Sequence, residues 1–152
     1  MSDQDFMALA LAQARLAGLR GEVPVGAVLV KDGTVIAMGS NAVIGLSDPT
    51  AHAEVVALRA GAAALHNYRL PDCELFVTLE PCAMCAGALI HSRLKRVVFG
   101  ASDPKTGAAG GLLDVFSTTF NHQTTVQGGV LAEDCSVLLR DFFRAKRLAS
   151  KG

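Results

Sequence analysis

The chain carries no net charge: 14 Lys and Arg balance 14 Asp and Glu, and charged residues fill only 18% of its 152 positions. A globally basic polyanion binder is excluded, and any attraction to nucleic acid must come from a local patch. There is no run of about 18 apolar residues, so no membrane span is expected. Nor is there a signal-like start. Met1-Ser2-Asp3-Gln4-Asp5 is acidic, where a secretory leader would be positive. Cysteine is scarce, four in all, and without a leader two disulfides are disfavoured. The expected setting is the reducing cytoplasm. No internal repeat or low-complexity segment divides the chain. With 51% hydrophobic residues, what remains is a single domain, 1–152, long enough to bury a core.

Hydrophobic periodicity then orders the elements. Ser2-x-x-Asp5 reads as a capping box, and Phe6, Leu9, Ala10, Gln13 and Leu16 follow at helical spacing, giving a helix over 3–18 ended by Gly18 and Gly21. Val25 to Lys31 is an apolar strand, Asp32-Gly33 a hairpin turn and Thr34 to Gly39 the returning strand. His52 to His66 reads as a second helix and Glu74 to Leu79 as a strand. Pro81 suits the first position of a third helix, which ends near Ser92. Arg96 to Phe99 is a fourth strand, and strand–helix–strand at these lengths implies a parallel pair. Gly100 to Gly111 is a long loop with four glycines, Thr124 to Gln127 a short strand, and 131–148 a last helix, acidic at its start and basic at its end. The fold class is α/β, a mixed sheet of about five strands with helices on both faces.

Two short stretches carry chemistry: Thr50-Ala51-His52-Ala53-Glu54 and Glu80-Pro81-Cys82-Ala83-Met84-Cys85. One imidazole and two thiols are a three-ligand zinc set, and catalytic zinc sites keep three protein ligands and leave a position for water. A structural site would want four ligands, and no further Cys or His falls at comparable spacing. Glu54 is not needed as a ligand. A carboxylate two residues from a ligating His is what proton transfer to and from a zinc-activated water requires. Residues two apart on a regular helix point to nearly opposite sides. His52 must therefore lie in or just before the first turn, and Pro49-Thr50 places the helix start there.

The pairing of His52-x-Glu54 with Pro81-Cys82-x-x-Cys85 resembles the zinc-dependent cytidine/adenosine deaminase superfamily. Further stretches from about Glu22 to Arg147 resemble its bacterial tRNA-specific adenosine deaminase branch. Among them are Glu22-Val23-Pro24-Val25-Gly26-Ala27-Val28, Asn67-Tyr68-Arg69-Leu70, His91-Ser92-Arg93, Lys105-Thr106-Gly107-Ala108-Ala109-Gly110 and Asp141-Phe142-Phe143-Arg144. The resemblance implies a three-layer α/β/α cytidine-deaminase-like fold and a homodimer with one zinc per subunit. It implies hydrolytic conversion of the wobble adenosine of a tRNA anticodon stem-loop to inosine. Carried over, His52, Cys82 and Cys85 hold zinc and Glu54 shuttles protons. Asn41 bonds the flipped base, and Val25, Gly26 and Ala27 line its pocket. Asp103 and Lys105 meet neighbouring nucleotides and phosphates, while Phe143 and Arg144 support the RNA by stacking and charge. Two positions depart from the pattern, Ser40 and Ser102, and both bear on sequence context more than on chemistry.

Each of these residues also has a plainer reading. Asn41 after a strand and Asp103 before Pro104 are ordinary turn formers, loop lysines are commonly solvated, and Phe142 sits on an apolar helix stripe. Two other functions share part of the pattern: a zinc deaminase of a free base or nucleotide, such as guanine, cytosine or deoxycytidylate, and a zinc-dependent RNA-binding scaffold without catalysis. Positions 140 to 152 hold five Lys and Arg against one acidic residue, which favours a polyanionic substrate over a free base.

Overall fold

The computed structural model describes residues 1–151, and Gly152, the last residue of the expected domain, lies outside them. The chain runs α1 (Asp3–Leu19), β1 (Gly26–Lys31), β2 (Thr34–Ser40), α2 (Ala53–Leu65), β3 (Cys73–Leu79), α3 (Ala83–His91), β4 (Arg96–Ala101), β5 (Thr125–Gln127) and α4 (Ala132–Lys151). The strands form one sheet in the order β2-β1-β3-β4-β5. β1 is antiparallel to β2 and β3, while β3, β4 and β5 are mutually parallel, so the sheet is mixed. No helix among the described residues is long and apolar enough to cross a membrane.

Side chains alternate across the central strands and build two cores. Ala27, Leu29, Leu75, Val77, Val97 and Phe99 pack against Ala53, Ala57 and Leu58 of α2 and Ala86, Leu89 and Ile90 of α3. Val28, Val30, Phe76 and Val98 face the other way, onto Phe6, Met7, Ala10 and Leu11 of α1 and Cys135 of α4. Three layers result. Covering both faces is why these strands read as continuous apolar runs. Phe6 and Phe76 meet with centroids 5.0 Å apart, and each fully buried Phe, Leu or Met contributes roughly 1.5–3 kcal/mol. The Ser2 capping box forms as expected, with Ser2 and Asp5 bonding reciprocally. Arg96 ties the layers at one end, gripping Asp3 with two bonds and also reaching Glu74 and Gln127.

Pro81 is not the first helical residue. The chain stays extended through Cys82 (φ −74°, ψ 175°), which is the N-cap of α3. A backbone bridge from Cys82 to Gly107, with Ala108 N–H donating to the Pro81 carbonyl at 2.8 Å, holds it in that conformation. α4 continues past position 148 to Lys151, but Cys135 is its only buried residue among those described. The basic end beyond Phe142 is exposed throughout.

Candidate active site

The site forms where β3 delivers the chain to α3 and where α2 begins. His52 is the N-cap of α2, extended at φ −70° and ψ 155°, and its side chain makes no capping bond. An N-cap residue ordinarily spends its side chain on the first free N–H groups. Here Asn41 does that work from outside the helix, its Oδ1 accepting from Ala53 N–H at 2.8 Å. The imidazole is therefore free to turn elsewhere. The approach to His52 is fixed by Asp48, which accepts from Thr50 N–H at 2.9 Å and Thr50 Oγ1 at 2.7 Å. Glu54, in the first turn of α2, is 4% exposed. Because His52 stands just outside the helix, it and Glu54 can share one cleft.

His52 Nδ1 lies 3.7 Å from Cys82 Sγ and 3.5 Å from Cys85 Sγ. All three ligand atoms fall within 4.8 Å of one another. A tetrahedral zinc with ordinary Zn–S and Zn–N bonds spaces its sulfur and nitrogen ligands about 3.6 Å apart. The three donors thus fit zinc in both type and spacing. The two thiols differ. The hydrogen bond from Cys85 holds the Cys82 thiol down to about 5, with the His52 imidazole adding to the effect. Cys85, which keeps the shared proton, is pushed up. Cys82 also occupies a helix N-terminus, where a thiolate is favoured. Burial pushes the Glu54 carboxyl up to about 7, the range in which a group exchanges protons at neutral pH.

His52, Glu54 and Cys82 floor a cleft of about 220 Å³ lined by Val23, Val25, Asn41, Leu79, Asp103 and Thr106, with Cys85 buried behind it. That is below the roughly 300–1,000 Å³ of clefts for drug-sized ligands, so only a compact group enters. With Asn41 Oδ1 committed to α2, its amide N–H₂ is what remains for a ligand. Asp103 and Thr106 are also walls of a second, more open groove of about 790 Å³, lined by Lys105, Arg140, Arg144, Arg147, Leu139 and Phe143 among others. Asp103, Lys105, Phe143 and Arg144, dispersed along the sequence, are thereby brought together. The Asp103 carboxylate is engaged within its own loop, accepting from Lys105 N–H, Thr106 N–H and Thr106 Oγ1. Burial raises its pKa, but these hydrogen bonds outweigh burial and hold it below the usual value.

Two expected pocket residues lie elsewhere. Gly26 faces α1, where a Cβ would collide with the Ala10 carbonyl and the Ala14 amide. Its role is to let β1 lie close to that helix. Ala27, on the opposite face, is fully buried in the core beside α2 and α3 and takes no part in the cleft wall. Strand alternation separates them: three consecutive residues cannot all face one pocket. Val23, Leu79, Thr106 and Glu80 line the cleft without having been singled out from sequence. Another missed residue, Glu22, is 3% exposed and receives Ile44 N–H at 3.1 Å and Gly45 N–H at 2.8 Å, fixing the loop that follows Asn41.

Comparison with known proteins bears on this site. Residues 1–101 match the family described as the cytidine and deoxycytidylate deaminase zinc-binding region. The chain is 54% identical over 151 residues to a tRNA-specific adenosine deaminase of Haemophilus influenzae, covering 98% of this chain and 87% of that protein. A solved structure from a study of A-to-I editing by tRNA deaminases at the wobble position is 46% identical, with a TM-score of 0.84 over 89% of this chain and 99% of that one. The guanine deaminase of Nitrosomonas europaea has the same architecture at lower identity, 28%, with a TM-score of 0.78 over 93% of this chain and 84% of that one.

Proposed function

The chain belongs to the tRNA-specific adenosine deaminase family, and from that premise we propose that it hydrolyses the wobble adenosine of a tRNA anticodon to inosine, releasing ammonia. The observation that carries this reading is the pairing of cleft and groove. A compact cleft with His52, Cys82 and Glu54 at its floor, and Cys85 grouped with His52 and Cys82, shares Asp103 and Thr106 with a groove lined by Lys105, Arg140, Arg144 and Arg147. A deaminase acting on nucleic acid must take its base out of the stack into such a pocket and hold the strand outside it. A free base needs no basic groove, which weighs against the guanine alternative despite the shared fold.

His52, Cys82 and Cys85 hold the zinc, one per subunit. Bound there, zinc supplies Lewis acidity that lets a water lose its proton near neutral pH. Glu54 takes that proton and delivers it to a ring nitrogen as water adds to the carbon bearing the exocyclic amine. It then takes the second proton of the added water and hands it to the amine, which departs as ammonia. Burial suits Glu54 to this exchange, since its protonated and ionised forms lie close in free energy near pH 7. The Asn41 amide donates to an acceptor on the base edge, and Val23, Val25 and Leu79 exclude water around the ring. Where the cleft opens into the groove, Asp103 and Lys105 hold the flanking nucleotides, Phe143 offers a stacking face and Arg144 a phosphate contact. The protein acts in the cytoplasm as a homodimer, and the self-association is supported by apolar side chains left exposed at Met84, Leu112, Leu113 and Phe120. Light scattering on the purified protein tests the dimer.

The activity is tested by treating total tRNA with the zinc-loaded protein and sequencing it. The expected result is A read as G at the first anticodon position. Ammonia release from free guanine, with unchanged tRNA, would establish the other reading.

A further inference from the structure

Glu80 is a charged residue that the mechanism leaves unused. It is 3% exposed, and burying a carboxylate is costly unless the charge is met by strong partners. Among the described residues no Lys, Arg or His forms an ion pair with it. Three backbone amides meet it instead. Oε1 accepts from Asp103 N–H at 2.9 Å, and Oε2 accepts from Ala109 N–H and Gly111 N–H, both at 2.8 Å. The donors come from both arms of the loop after β4. The loop is shaped around this carboxylate: a Cβ on Gly107 or Gly111 would collide with it. Glu80 also stands two residues before Cys82, in the segment bridged to Gly107.

We propose that Glu80 is the positioning residue that locks the loop bearing Asp103, Lys105 and Thr106 onto the metal-ligand segment, so that the loop meets RNA in a preset conformation. The proposal rests on the tRNA reading for its consequence and on hydrogen bonding alone for its geometry. A mobile loop would have to be ordered by the substrate at each encounter, which weakens binding. Its loss therefore falls on KM, with the proton transfer at Glu54 left intact.

Glu80→Gln keeps the volume and removes one acceptor. Its oxygen is retained by the two donors on the Oε2 side, so its N–H₂ faces the Asp103 N–H, donor against donor, and that amide is released. In the wild type, hydrogen exchange resolved by NMR should show Asp103, Ala109 and Gly111 amides protected. In Glu80→Gln the Asp103 amide should exchange on the order of tenfold faster or more, with β3 amides and zinc content unchanged. With an anticodon stem-loop as substrate, KM should rise about tenfold while kcat stays within about threefold. On an Asp103→Ala background, Glu80→Gln should add less than about twofold, because it acts through the loop. Unprotected wild-type amides overturn the proposal, even if the variant does not fold. Equal Asp103 exchange in both proteins, a fall in kcat at unchanged KM, or full additivity with Asp103→Ala also overturns it. If the wild type does not deaminate the stem-loop, the tRNA reading fails and the exchange result still decides the anchoring.

Discussion

The basic groove makes a quantitative prediction about salt. Helical phase sorts the cations of α4: Arg140, Arg144 and Arg147 line the groove, whereas Lys146 lies 5.5 Å from the Phe142 ring centroid and is not part of the groove lining. Arg140 is paired with Glu133 at 2.9 Å, which leaves Lys105, Arg144 and Arg147 as the groove cations without an ion pair among the described residues. Each cation that neutralises a phosphate of a single strand contributes about −0.7 to the log–log salt slope, so replacing all three with Gln should flatten it by about 2 units. Between 50 and 200 mM salt this difference is worth roughly a 20-fold change in affinity that the wild type loses and the triple variant does not. Lys146→Gln should leave the slope within about half a unit of wild type. The assay is tRNA affinity by fluorescence anisotropy at four or more salt concentrations, with turnover at saturating RNA as the control on the chemistry. An unchanged slope in the triple variant, or an equal change from Lys146→Gln alone, would refute the assignment of this groove to RNA.

Two further outcomes follow from other parts of the molecule. Cys82→Ala should lose the zinc, about one per chain in the wild type by elemental analysis, and melt at lower temperature, since metal binding is coupled to folding; full zinc occupancy in that variant would contradict the ligand set. Asp3→Asn removes the charge and one of the two acceptors that hold Arg96 at a partly exposed site, so chemical denaturation at pH 7 should show a loss of about 0.5–1 kcal/mol. The bond to Arg96 lowers the Asp3 pKa in the folded protein. Its contribution is therefore present above the unfolded value, about 3.9, and fades as the pH falls through the folded one. Wild type and variant should converge in acid, and a gap that persists there would mean the contact acts by packing alone.

The candidate metal ligands were legible because each half of the site is contiguous in sequence. His52-x-Glu54 and Cys82-x-x-Cys85 state their own local geometry, and only their convergence needed the fold. Element order was legible for the same reason, since the cap at Ser2, the turn at Asp32-Gly33 and the apolar runs of β1, β3 and β4 are local signals. What escaped was every role defined by a distant partner. Asn41 caps a helix 12 positions further on. Glu80 collects amides 23, 29 and 31 residues away, and nothing in Glu80-Pro81-Cys82 announces that the carboxylate is buried. Gly26 is expected in the pocket only from the family resemblance, while strand alternation turns it toward α1. The split of the α4 cations into groove and non-groove faces follows from helical period, but which face meets the loop at Asp103 depends on how α4 docks on β4.

The central claim is that Glu54 moves the protons of a hydrolytic deamination of tRNA. It is tested most directly by following inosine formation and ammonia release on an anticodon stem-loop with zinc-loaded wild type and Glu54→Gln, at equal metal content. Glu54→Gln preserves the volume of a side chain that is 4% exposed and should keep zinc and RNA affinity. Inosine and ammonia should appear in equal amounts with the wild type, and turnover of the variant should fall by on the order of 10²-fold or more. Turnover near the wild-type rate in the zinc-loaded variant would contradict the account.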